Sequence, residues 1–146
     1  MVSISALKAD SITPSVAGQL NNLLRQVRRD KNISVTPAVW RRIVRQGNLR
    51  IFVIRQAGRI VAMGTLRWHE LAGRRAALLE DLVVDVGHRG KGFARVLVEK
   101  AAHWAHDHGI VRIDATSGPD RRVANAFYKK LGLVKRDTNI YRLSLR

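Results

Sequence analysis

The sequence predicts an α+β fold of mixed α/β layers, and three observations carry that prediction. Apolar residues recur at helical spacing near the start of the chain and again from about residue 90 to 108. Between those stretches lie three apolar runs of strand character, the later two introduced by short turns that contain glycine. After residue 86 the order changes to helix, strand, helix. The whole reads β-α-α-β-β-β-α-β-α-β, which suits helices layered on a sheet.

Each element has its own local reason. Residues 2–8 make a short first strand. Val16, Leu20, Leu23, Leu24 and Val27 form one stripe of an amphipathic helix over about 14–28. Thr36-Pro37 reads as an N-cap followed by proline at the first helical position, opening a second helix through about Arg45. Ile51-Phe52-Val53-Ile54 is a strand, Gln56-Ala57-Gly58-Arg59 a hairpin turn, and Ile60 to Trp68 the returning strand. Ala72-Gly73-Arg74-Arg75 turns the chain again into a long strand, Ala76 to Val86. A helix from Gly90 carries Phe93, Val96, Leu97, Ala101, Trp104 and Ala105 on one stripe, and Gly109 ends it. Ile110 to Thr116 is a strand, a helix opens at Pro119 or Asp120 and closes at Gly132, and Leu133 to Leu145 reads as one or two strands.

The 146 residues suit one domain spanning 1–146, with no internal repeat, low-complexity segment or linker. No stretch is long and apolar enough to span a membrane, and Met-Val-Ser-Ile-Ser lacks the layout of an export signal. Cysteine is absent, which removes disulfides and thiol catalysis and fits a cytoplasmic location. His103, His106 and His108 near a helix end suit surface or capping roles, and no metal is expected. The formal charge of +16, from 27 Lys and Arg against 11 Asp and Glu, predicts attraction to polyanions. The cations are spread over groups at 25–31, 41–50 and 129–136, as on the surface of a folded domain.

The most informative segment is His88-Arg89-Gly90-Lys91-Gly92-Phe93-Ala94-Arg95, set between the apolar run Leu82-Val83-Val84 and a long helix. Glycines at a strand-to-helix junction let the backbone approach a phosphate. The free N–H groups of the first helical turn and the helix dipole then favour the anion. Arg89, Lys91 and Arg95 add charge. The segment is neither a nucleotide P-loop ending in Gly-Lys-Ser/Thr nor a dinucleotide fingerprint. It reads as a site for a phosphorylated cofactor.

Arg89-x-x-Gly92-x-Ala94 resembles the Arg/Gln-x-x-Gly-x-Gly/Ala signature of the GNAT superfamily of acyl-CoA N-acyltransferases. Ala124-Asn125-Ala126-Phe127-Tyr128-Lys129-Lys130-Leu131-Gly132-Leu133 is similar to that family's Ala-x-x-Phe-Tyr-x-x-x-Gly-Phe block, and Ile60-Val61-Ala62-Met63-Gly64 to its third strand. The resemblance covers about residues 50–145 closely and the first 50 by element order. Val86 stands where many members have proline, Leu133 replaces a common Phe, and Arg121 sits where a cofactor-contacting Asn is frequent. The resemblance implies a bent, mostly antiparallel sheet of six to seven strands with a central parallel pair, flanked by about four helices. That pair, 76–86 and 110–116, would splay apart to admit acetyl-CoA as cosubstrate. The pyrophosphate would sit on Arg89, Gly90, Lys91, Gly92, Phe93, Ala94 and Arg95. The backbone of Leu82, Val83 and Val84 would pair with the pantetheine arm, and Asn125 and Tyr128 would add cofactor contacts. Family members often dimerise, so a homodimer is an expectation of the same kind.

N-acetylation requires a neutral amine, a polarised thioester and a proton for the departing thiolate. By resemblance Tyr128 is the candidate acid. Glu80 and Asp81 are the candidate bases, and on a regular strand they point to opposite faces. The alternative for either carboxylate is a surface salt bridge to Arg74 or Arg75. Trp40, Trp68 and Trp104 lie on separate elements and read as core or cleft-lining residues, with Trp40 a candidate lining of the acceptor pocket. The favoured reading is an N-acetyltransferase acting on a primary amine of an unidentified acceptor, small molecule or protein, by direct attack in a ternary complex. The alternative is a basic nucleic-acid-binding or regulatory module on the same fold without turnover. That reading explains the charge but not the glycine junction followed by the tyrosine block.

Overall fold

The structure is a computed structural model that describes residues 1–145; only position 146 of the expected span lies outside the described residues. The chain forms two compact units, Met1–Thr116 and a second beginning at Ser117. The first holds a five-stranded sheet in the order β1 (Val2–Ala6), β2 (Leu49–Gln56), β3 (Arg59–Leu71), β4 (Arg74–Val84), β5 (Ile110–Ala115). Neighbours are antiparallel except β4 and β5, which run parallel. Helices α1 (Pro14–Val27), α2 (Pro37–Val44) and α3 (Phe93–Asp107) complete this unit, and α4 (Arg122–Lys130) belongs to the second.

The α+β class, the four helices and the parallel pair agree with the sequence reading. Five strands are present among the described residues rather than six to seven, so the parallel pair ends the sheet instead of lying within it. The expected strands in 133–145 are not formed among those residues: Val134, Ile140, Tyr141, Leu143 and Leu145 are exposed and have no ladder to join. Alternating apolar residues alone do not make a strand, because an isolated strand leaves its backbone groups unpaired.

Both faces of the sheet are covered, which explains why β2 and β3 are apolar in continuous runs rather than alternating. Ile51, Val53, Met63 and Val83 pack against Leu20, Leu23 and Leu24 of α1 and Trp40 of α2. Phe52, Ile54, Ala62, Leu66 and Ala77 pack against Leu97, Ala101 and Ala105 of α3. Val96, expected on the buried stripe of α3, is 41% exposed, because Phe93, Leu97, Ala101, Trp104 and Ala105 already fill that face. Thr13 and Thr36 cap α1 and α2 through their hydroxyls, each with proline following.

Trp40 is a core residue rather than part of an acceptor pocket. It is 4% exposed and its Nε1–H donates to Asn21 Oδ1 at 3.1 Å. Asn21 also accepts from Val35 N–H and donates to Val35 C=O, so one buried amide fastens the α1–α2 connection. Trp68 and Trp104 meet in space, with ring centroids 4.8 Å apart. His108 stacks on Trp104 at 3.9 Å and its Nδ1 lies 2.7 Å from the Trp104 carbonyl, the capping role its position suggests.

Candidate active site

Strand β4 is where the candidate residues converge. It pairs with β5 only as far as Leu79↔Ala115, while its pairing with β3 continues to Val84. Residues 80–84 therefore have a strand on one side only among the described residues. The ladder with β5 stops there because β5 ends at Ala115.

Within that stretch β4 carries a bulge. Thr65 faces Glu80 and Met63 faces Val83, so Gly64 alone stands opposite two residues, Asp81 and Leu82. Asp81 takes the extra position with φ +50°, a left-handed conformation that costs a non-glycine residue about 1–2 kcal/mol. A Cβ at Gly64 would lie 3.3 Å from Leu82 Cδ1 and 3.8 Å from Leu79 Cδ1, so both leucines flank the same glycine.

The bulge overturns the expectation that Glu80 and Asp81 point to opposite faces. Strict alternation assumes a regular strand, and the extra residue breaks it. Both carboxylates act on one guanidinium, that of Arg28 just past the end of α1. Arg28 Nη2 and Nε donate to Asp81 at 2.7 and 3.1 Å. Its pKa is raised by this hydrogen bond first, then by the charges of Asp81 and Glu80, against a partial loss from burial. Glu80 accepts from Arg67 Nε at 3.0 Å, a diagonal neighbour across the β3–β4 ladder. Neither carboxylate pairs with Arg74 or Arg75; Arg75 turns instead to Glu70.

Beyond β4 the chain is fastened before it reaches the glycines. Asp85 accepts from Gln26 Nε2 at 2.9 Å and Gly87 N–H at 3.3 Å, with His88 Nδ1 at 2.9 Å. The Gln26 bond first, then His88, hold the Asp85 carboxyl below its ordinary value. Gln26 completes the latch by accepting from Val86 N–H at 3.0 Å. Arg89 Nε donates back to the Val84 carbonyl at 3.1 Å.

The glycine segment then turns into α3. Gly90 and Gly92 have φ of +76° and +79°, and Gly92 is the N-cap, so the helix begins at Phe93 rather than Gly90. No side chain caps α3 and its first turn contains no acidic residue. The first-turn N–H groups are left directed outward beside Lys91 and Arg95, with the positive end of the dipole behind them. A Cβ at either glycine would meet no atom within 4 Å, so these positions are constrained by backbone conformation rather than by space.

Thus Glu80, Asp81, Leu82, Val83, Val84 and Arg89 to Arg95 form one continuous path along β4 and into α3. Tyr128 and Asn125 lie on α4 in the second unit. Burial raises the Tyr128 phenol's pKa above its ordinary value, against a smaller opposing effect of Arg121. Asn125 Nδ2 donates to the Gly118 carbonyl at 3.0 Å, tying α4 to the loop that precedes it. Sequence reasoning missed Arg28, Gln26, Arg67 and Gly64. Arg67 was within reach of register reasoning; Arg28 and Gln26 pair with residues 53 and 59 positions away, with no local signal.

Known proteins share this fold. No curated protein matches the sequence. Solved structures match over nearly the whole chain at low identity, which shows the fold. An aminoglycoside acetyltransferase from an uncultured soil metagenomic sample, in complex with sisomicin, is 19% identical, with a TM-score of 0.88 over 99% of this chain and 97% of its own. Glucosamine-6-phosphate N-acetyltransferase from Arabidopsis thaliana is 23% identical, with a TM-score of 0.79 over 98% of each chain. AAC(6')-Iy in complex with the bisubstrate analogue CoA-S-monomethyl-acetylneamine is 14% identical, with a TM-score of 0.82 over 100% of this chain and 99% of its own. The sequence model of the Acetyltransferase (GNAT) family matches residues 19–133, so the chain belongs to that family of acetyl-CoA-dependent N-acetyltransferases.

Proposed function

We propose that this chain transfers the acetyl group of acetyl-CoA to a primary amine by direct attack in a ternary complex. The observation that carries the reading is the end of the β4–β5 ladder at Leu79, followed by an uncapped helix start at Gly92. The one-sided backbone of Leu82 to Val84 offers hydrogen-bonding groups to a pantetheine amide. The N–H groups of Arg89 to Arg95 offer donors to a pyrophosphate. The neighbour bound to a bisubstrate analogue, in which CoA is joined to an acetylated amine, supports the direct route.

In the proposed reaction the amine lone pair attacks the thioester carbon and a C–N bond forms. The nitrogen, now positively charged, releases a proton to water, the tetrahedral adduct collapses, the C–S bond breaks, and the thiolate takes a proton from a donor that solvent then reprotonates. Tyr128 is the proposed donor, a role carried by its place in the Ala-x-x-Phe-Tyr block. A phenol is protonated at neutral pH, and burial shifts Tyr128 further in that direction. The ammonium form of the acceptor cannot attack, so its proton passes to Glu80, to Asp81 or to water. Hydrogen bonds to the developing oxyanion and the fixed approach supply the remaining acceleration.

Two measurements test the proposal. Acetyl-CoA should raise the melting temperature in a concentration-dependent way. Thiol release with a panel of amines should report turnover. A protein that ignores acetyl-CoA yet binds generic DNA in a salt-dependent manner would be a nucleic-acid-binding module instead.

A further inference from the structure

We infer that the acceptor amine carries an anionic group, a carboxylate or a phosphate, docked by the arginine-rich end of α1. The inference rests on the transferase reading and narrows its substrate class.

The end of α1 is fastened at both ends of the one-sided stretch of β4. Arg28 grips the bulge residue Asp81, and Gln26 grips Asp85 and Val86. An amine that reaches a thioester lying along Leu82 to Val84 therefore approaches beside the last turn of α1. The charge there is one-sided. Arg25, Arg28, Arg29 and Lys31 fall within seven positions, with Asp30 the only acid among them. Arg28 is matched by Asp81, which leaves three cations against Asp30. Arg25 donates to Asn22 Oδ1, Lys31 donates to the Arg25 carbonyl, and Arg29 forms no ion pair among the described residues.

The acids that would welcome a polycation are already engaged. Asp81 holds Arg28, Glu80 holds Arg67, and Asp85 is held by Gln26, Gly87 and His88. A polyamine or aminoglycoside would have to displace guanidiniums to reach them and would meet uncompensated positive charge. An amine with its own anionic group avoids both costs. The acid end is drawn to Arg25, Arg29 and Lys31, and the single amine end, neutral when it attacks, need not displace either guanidinium.

The test uses matched acceptors with saturating acetyl-CoA and thiol release as the readout. L-phenylalanine is compared with L-phenylalaninamide per neutral amine, glucosamine 6-phosphate with glucosamine, and spermidine represents polycations. The expected result is a kcat/KM at least about tenfold higher for the anionic member of one pair, declining as ionic strength rises. The pair that responds identifies carboxylate or phosphate. Replacing Arg25→Glu and Arg29→Glu together should abolish that preference while the melting shift caused by acetyl-CoA is unchanged. Equal turnover within both pairs, preference for the neutral members or spermidine, or loss of the acetyl-CoA shift in the double variant would overturn the inference while leaving the transferase reading standing. Absence of any acetyl-CoA shift in the unaltered protein would remove that reading and the inference with it.

Discussion

Gly92 separates backbone strain from anion binding, and three substitutions there measure each. Its φ of +79° lies where an L-residue costs about 1–2 kcal/mol, and a new Cβ meets no atom within 4 Å. Gly92→Ala, Gly92→Gln and Gly92→Glu should therefore share one destabilisation of that size, seen as a fall in melting temperature of about 3–8 °C. Their affinities for acetyl-CoA should differ. Alanine adds only strain, glutamine adds bulk in the path of the cosubstrate, and glutamate adds a charge of the wrong sign. At about 5 Å from a phosphate oxygen that charge is worth about 1–3 kcal/mol for an effective dielectric of about 80 to 20, or about 5- to 200-fold in Kd beyond glutamine. Calorimetric titration of the three variants with acetyl-CoA reads the difference directly. Equal Kd values for the glutamine and glutamate variants would mean that no phosphate lies near the start of α3.

Other expectations follow from single contacts. Tyr128→Phe should lower turnover while leaving acetyl-CoA affinity nearly unchanged; undiminished turnover in steady-state assays would take the acid role from Tyr128. Asp85 has a depressed pKa in the folded chain, so its stabilising effect is present above the ordinary carboxylate value of 3.8 and is lost as pH falls through the lower folded value. Asp85→Asn should thus melt below the unaltered protein at pH 7, with the gap closing toward pH 3; a gap independent of pH would show that the carboxylate charge is irrelevant to the latch. Asn21→Leu strands the Trp40 Nε1–H and both Val35 backbone groups, and should cost about 2–4 kcal/mol in urea unfolding. A loss below about 0.5 kcal/mol would mean that water replaces the amide without penalty.

What was legible in the sequence is what local chemistry determines. Thr13-Pro14 and Thr36-Pro37 announce two helix starts, the turns at Ala57-Gly58 and Ala72-Gly73 delimit β3, and the glycines before Phe93 mark the junction. The order of strand, glycine turn and helix from Leu82 to Arg95 follows from these local signals. The engagement of Glu80 and Asp81 does not. It depends on a bulge at a single aspartate set within a strand-like run, and on Arg28, which sequence distance hides. The three tryptophans were assigned to core or cleft by elimination, but only the fold shows that Trp40 is buried while Trp68 and Trp104 meet at a tilt and are partly buried. The tail from Leu133 to Leu145 has apolar residues enough for a strand and no partner among the described residues, a condition that composition cannot register.

One residue of β4 stands outside its regular ladder. Were Asp81 removed, Leu82 would slide opposite Gly64, the ladder from Thr65 to Met63 would close without a gap, and every side chain from Val83 onward would still look the way it does now. A strained torsion would vanish in the same stroke. A shortened chain would exchange that strain for the loss of Arg28's anchor, so what the irregularity gives the chain is the tie between the end of α1 and β4.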